Sequence, residues 1–100
     1  MIFDAEAGLY VFEVILGLDV DGEVHTSPLC LIQADDADEA EDKVLEYLDG
    51  LDLDVDYWVE EMRGPHGIEQ YQQELDDGDK KPFPVLDELT EEELREFVGL

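Results

Sequence analysis

Along residues 9–20, "LYVFEVILGLDV", the apolar residues Tyr10, Phe12, Val14, Leu16, Leu18 and Val20 fall on alternate positions. A period of two with aromatic and β-branched types predicts a strand that turns these six side chains to one face. Asp21-Gly22 follows at once. That pair predicts a type I′ hairpin turn, in which both central residues need positive φ. The return strand is expected over about 23–33, "EVHTSPLCLIQ". Pro28 cannot donate to a ladder, so this strand belongs at a sheet edge or carries a bulge there.

Beyond residue 33 the period changes. Ala37, Ala40, Val44, Tyr47, Leu48 and Leu51 recur at spacings of three and four, which predicts a helix of about four turns with one apolar stripe. Asp36 with Glu39 reads as a capping box, and Gly50 as the C′ stop. In "LDLDVDYWVEEM" alternation returns: Leu51, Leu53, Val55, Tyr57 and Val59 interleave with Asp52, Asp54, Asp56, Trp58 and Glu60. This predicts a third strand with one buried and one acidic face.

"RGPHG", residues 63–67, reads as a loop by composition. Ile68, Tyr71 and Leu75 predict a short helix through "IEQYQQEL". Residues 76–84, "DDGDKKPFP", form a turn-rich connector expected to be mobile, and "PFPVL" leaves a fourth strand open. Thr90 with Glu93 makes a second capping box, and Leu89 with Leu94 fits the hydrophobic staple, so a C-terminal helix is expected over 91–98.

The expected fold class is α+β: one acidic domain over residues 1–100, in the order β-β-α-β-(α)-α. A β-hairpin and a third antiparallel strand pack against one helix in a two-layer sandwich, with a short C-terminal helix. A hydrophobic content of 44% is ample for that core.

Charge changes the picture most. Thirty Asp and Glu face five Lys and Arg, a formal net charge of −25, so most carboxylates have no possible cationic partner. Self-repulsion destabilises the compact state, and salt relieves it, since the screening length falls from about 10 Å at 0.1 M to about 3 Å at 1 M. Nucleic acid and anionic membrane are poor partners for such a surface, because binding them relies on Lys and Arg displacing counterions. Basic proteins and cations suit it.

The single cysteine, Cys30, excludes an intramolecular disulfide and fits a reducing compartment. "LYVFEVILGL", the longest apolar stretch, is interrupted by Glu13 and too short to span a bilayer. "MIFDAEAG" has no basic region ahead of an apolar one, so no signal peptide is expected. These features predict a soluble, cytoplasmic protein of a bacterium, an archaeon or a virus that infects one.

No motif points to catalysis, and the chain is expected not to be an enzyme. "DVDG" at 19–22 resembles the opening of a calcium loop, but Val24 and Thr26 occupy the next ligand positions and no Glu stands at the twelfth. Asp52, Asp54 and Asp56 on one strand face are roughly 7 Å apart, too far to share an ion without another element. His25, Cys30 and His66 have no zinc-site spacing. Cys30, between Leu29 and Leu31, reads as a buried thiol with no nearby base, and Ser27 is the one alternative nucleophile. No Gly-rich phosphate loop occurs, and no metal or cofactor is expected.

Three readings of the acidity stay open. One is a solvated surface adapted to high internal salt, as in proteins of extreme halophiles, with which fifteen Asp and fifteen Glu agree better than the five Ala and two Thr do. Another is a nucleic-acid mimic, whose carboxylates stand in for phosphates in the groove of a basic protein; small size and the absence of catalytic residues suit a viral inhibitor of this kind. Residues 34–62 carry thirteen acids and one lysine. The third is an acidic chaperone or adaptor for some other basic protein.

For the binding readings the candidate contact residues are Asp35, Asp38, Glu39, Glu41, Asp42, Glu46 and Asp49 on the helix, and Asp54, Asp56, Trp58 and Glu60 on the third strand. Trp58 either packs under the C-terminal segment, covered by Phe83 or Phe97, or stands as an aromatic anchor amid acids. An exposed sheet edge also leaves a homodimer open.

Overall fold

The computed structural model describes Phe3 and residues 6–100. The expectation of no leader over the opening residues rests in part on Met1, Ile2, Asp4 and Ala5, which lie outside them. Strand β1 (Tyr10–Val20) is the centre of an antiparallel sheet. Along one side it pairs with β2 (Glu23–Thr26) and then β3 (Cys30–Ala34); along the other it pairs with β4 (Asp56–Gly67). Helix α1 (Ala37–Asp49) precedes β4, and α2 (Ile68–Asp76) and α3 (Glu91–Val98) follow it, with a 3-10 turn at Leu86–Glu88.

Local chemistry accounts for the hairpin. Asp21 and Gly22 both have positive φ, 54° and 87°, and Asp19 Oδ1 accepts from the Gly22 N–H at 3.0 Å. The return strand breaks at Ser27–Leu29, where Pro28 has no donor. Ser27 bridges the gap: its N–H donates to Leu16 O at 2.8 Å, and its Oγ accepts from Leu16 N–H at 2.9 Å. The edge strand is thus split into β2 and β3 without leaving Leu16 unsatisfied.

Alternation along β1 divides the core in two. Phe12, Val14, Leu16 and Leu18 meet Ala40, Val44 and Leu48 of α1, Leu86, and Leu94 and Val98 of α3 in the main cluster. The expected α+β architecture, a helix packed on an antiparallel sheet, is what this cluster holds together. On the opposite face, at one end only, Val11 and Leu31 meet Phe3 and Tyr71, with Ile68, Leu75, Phe83 and Val85 around them. The expected short helix is α2, and its stripe of Ile68, Tyr71 and Leu75 closes this smaller cluster.

Both expected N-caps form. Asp36 accepts from Glu39 N–H at 2.8 Å, while the Glu39 carboxylate turns to Lys43 at 3.3 Å. Thr90 and Glu93 complete a reciprocal capping box. Gly50 caps α1 with φ −74°, in a right-handed conformation that needs no glycine, so it is not the expected C′ residue. Lys80 and Phe83 tie the 76–84 connector to the sheet's second face. "PFPVL" contributes one parallel bridge, Leu31 to Val85, with Leu31 N–H donating to Pro84 O at 2.8 Å.

The third strand starts later and ends later than its alternation implies. Residues 51–55 keep the in-and-out burial pattern, but β1 gives way to the hairpin turn after Val20 and Asp19–Asp56 is the last pair. Residues 51–55 have no ladder partner among the described residues. At the other end Arg63–Gly67, expected as a loop, continues β4 to Tyr10. Its Pro65 is tolerated because β4 is an edge strand with register shifts between Val11 and Glu13 and between Ile15 and Leu16.

Candidate functional site

The acidic residues singled out above separate onto two surfaces. Asp38, Glu41, Asp42, Glu46 and Asp49 lie at spacings of three and four along α1, on the side opposite its buried residues Ala40, Val44 and Leu48. All five are exposed, as is Asp35 just before the helix. Glu39 is half-buried and committed to Lys43. That lysine also donates to Gln33 O at 2.9 Å and to Ala7 O. Asp49 accepts from the Tyr57 hydroxyl.

Helix α1 tolerates this stripe at a cost. Asp38–Asp42 and Asp42–Glu46 are like-charge i,i+4 pairs, each destabilising by about 0.2–0.5 kcal/mol. Glu46 and Asp49 also stand at the negative end of a helix whose last turn carries no base. Stability does not explain why acids occupy these positions.

Trp58 belongs to the other surface. Pairing of Gly17 with Trp58 and of Asp19 with Asp56 puts these residues on the face of the sheet away from α1. The indole lies directly on Gly17: a Cβ there would stand 2.3 Å from Trp58 Nε1. That nitrogen donates to Glu60 Oε2 at 2.6 Å. Phe97 packs on the main core and Phe83 on the smaller cluster, so the expected cover of Trp58 by the C-terminal segment is corrected. What seats the indole is the missing side chain of Gly17. Gly17→Ala is therefore expected to lift Trp58 off the strand and shift its fluorescence to longer wavelength, with circular dichroism retained.

Next to Trp58, at the hairpin end, Asp19, Asp21, Asp54 and Asp56 line an open hollow of about 490 Å³ with Gly22, Leu53 and Val55. The hairpin supplies the second element that Asp54 and Asp56 lacked in the sequence reading. Even so, among the described residues no group of three or more His, Cys, Asp or Glu has the geometry of a metal site.

Glu13 forms a further polar cluster that the sequence reading missed. It is 6% exposed, and its Oε2 accepts from Tyr71 OH at 3.0 Å. His66 Nε2 lies 3.4 Å and Lys80 Nζ 3.8 Å from Oε1, and Lys80 sits 5.4 Å above the Tyr71 ring. The sequence signal was present: a lone Glu inside an apolar strand marks a second face that must offer it donors. With Tyr71 locked in a fully buried contact, the cluster reads as an anchor for α2.

The candidate nucleophiles are equally committed. Cys30 is fully buried, its Sγ 3.3 Å from Val14 O, and burial pushes its thiol up to about 12. Ser27 Oγ donates to Pro28 O at 2.8 Å. Among the described residues, no helix is long and apolar enough to cross a membrane. The chain matches no protein-family model, no curated protein and no solved structure.

Proposed function

We propose that this chain is a non-enzymatic binding domain that mimics a nucleic-acid backbone, its α1 face occupying the groove of a basic nucleic-acid-binding protein. The observation that carries this reading is the exposed stripe Asp38, Glu41, Asp42, Glu46 and Asp49. These residues span about 16 Å of helix at 1.5 Å per residue, or one charge every ~4 Å. One strand of duplex DNA carries a charge every ~3.4 Å. A rigid helix braced by the main core presents them without the entropy cost of ordering a tail. This reading puts the domain in the cytoplasm, where it meets such proteins.

The salt-adapted surface is the second reading. Acids outside α1 favour it, such as Glu69 in the first turn of α2 and Asp76, Asp77 and Asp79 around its end. One experiment separates the two. The chain is used as bait at about 0.1 M salt, and the captured protein is offered duplex DNA or RNA. Mimicry requires nucleic acid to release the bait in competition. A stable ternary complex, or no capture by a bait that folds only near 1 M salt, rejects it.

A charge-reversed bait, Glu41→Lys/Asp42→Lys/Glu46→Lys, is expected to bind at least about tenfold more weakly, a loss of ~1.4 kcal/mol. The same changes are expected to raise stability in low salt by roughly 1 kcal/mol by relieving like-charge and dipole strain. Urea denaturation and the capture assay read the two effects separately.

A further inference from the structure

The half of the sheet that α2 leaves open is a second surface, facing away from α1. On it stand Ile15, Gly17 under Trp58, and the Asp19–Asp56 pair, with Val24 64% exposed opposite Asp19. Two features of this face run against a surface left bare. The indole is braced from below by Gly17 and from the side by Glu60, while Trp58 packs against neither hydrophobic cluster. Two carboxylates, Asp19 and Asp56, are directly opposite each other across the strands, an arrangement that costs stability unless a cation lies between them.

We infer that this open sheet face docks an extended, arginine-bearing segment of a basic protein. One guanidinium stacks on Trp58 beside Glu60, and a second, two residues along, sits between Asp19 and Asp56. The occupant follows from charge and spacing. A guanidinium is planar and weakly hydrated, so it stacks on an indole while a carboxylate neutralises it, which an ammonium does less well. In an extended segment, side chains two residues apart point the same way at about 6.8 Å, the separation of Gly17 from Asp19 along β1. Asp21 and Asp54, across the adjoining hollow, add to the field at the second position. The inference concerns a face other than α1, so it does not rest on the nucleic-acid mimic.

Trp58 is the only tryptophan in the chain, so its fluorescence reports this face directly. The probe is the acetylated peptide amide Thr-Arg-Thr-Arg-Thr, titrated at about 0.1 M salt. Its lysine counterpart and a peptide of equal charge with adjacent arginines serve as comparisons. The expected result is a saturable change in Trp58 emission, with affinity several-fold above that of either comparison. Asp19→Asn/Asp56→Asn is expected to lower affinity about tenfold; asparagine keeps the Oδ1 acceptor that Gly22 uses. The α1 charge reversal is expected to leave the response in place, which separates this face from the proposed function. Equal responses to all three peptides, an unchanged affinity in the Asn variant, or loss of the response in a folded α1 variant would overturn the inference.

Discussion

Phe12→Ala is expected to remove about 3–5 kcal/mol of stability and to leave the chain largely unfolded in dilute buffer. Phe12 is 1% exposed near the start of β1 and joins the main cluster beneath α1 and α3. Little around it can collapse into the space its ring would vacate. The β4 backbone is already in contact, since a Cβ on Gly64 would lie 2.9 Å from Phe12 Cδ1, and β3 is held by the Phe12–Ile32 pair. A domain of this size has a total stability of about 5–15 kcal/mol, and the repulsion among its unpaired carboxylates lowers it further at low ionic strength.

Salt then becomes the control for that variant. Raising it from about 0.1 M to 1 M shortens the screening length from about 10 Å to 3 Å, so Phe12→Ala is expected to regain its sheet signal in circular dichroism at the higher concentration. Urea midpoints of both proteins at both salts check the claim. A midpoint drop of more than about 1 M, at a slope of 1–3 kcal/mol per M, is the expected size. A smaller drop at both salts would mean that the cluster around Phe12 is less closely packed than these contacts require.

The elements that local chemistry decides were legible in the sequence. Asp21-Gly22 demanded positive φ at both positions and has it, Pro28 demanded a sheet edge or a bulge and lies on the edge, where the expected single return strand is in fact split in two, and Thr90 with Glu93 fixed the start of α3. What the sequence hid were features set by distant chain. Residues 51–55 alternate like a strand, yet where β4 begins is decided by where β1 runs out, information carried by the hairpin thirty residues earlier. "RGPHG" has the composition of a loop, and it pairs because Tyr10–Glu13 continue past it.

The same distinction governs the sites. Helical spacing sufficed to put Asp38, Glu41, Asp42, Glu46 and Asp49 opposite the apolar stripe. Strand alternation correctly grouped Trp58 with Asp56, but it carried no record of Gly17, whose absent side chain seats the indole. Nor did it show that the α1 acids and Trp58 face opposite ways from the sheet. Two candidate contact surfaces therefore emerge where the charge run alone suggested one.

Alkali is expected to unfold the domain from pH 9 upward, because two buried groups hold their protons more tightly in the folded chain. Burial pushes the Cys30 thiol from 9.0 up to about 12. Tyr71 is also raised, first by burial and then by its hydrogen bond to Glu13 and the charges of Glu13 and Glu74. A folded-state value above the unfolded one contributes stability that is complete below the unfolded value and is lost as pH climbs through the folded one. For Cys30 the window is pH 9 to 12, and three units at about 1.36 kcal/mol each amount to roughly 4 kcal/mol. The loss attributable to Tyr71 begins near its ordinary value of 10. Urea midpoints at pH 7 through 11, with salt held at about 1 M so that surface repulsion stays screened, are expected to be level to pH 8 and then fall. Cys30→Ala lowers the starting stability by leaving a small void, yet its curve should be flatter between pH 9 and 10, and Tyr71→Phe should flatten the part above 10. Curves that stay parallel to the parent's would mean that neither proton matters to folding, and that the buried thiol opens to water before it ionises.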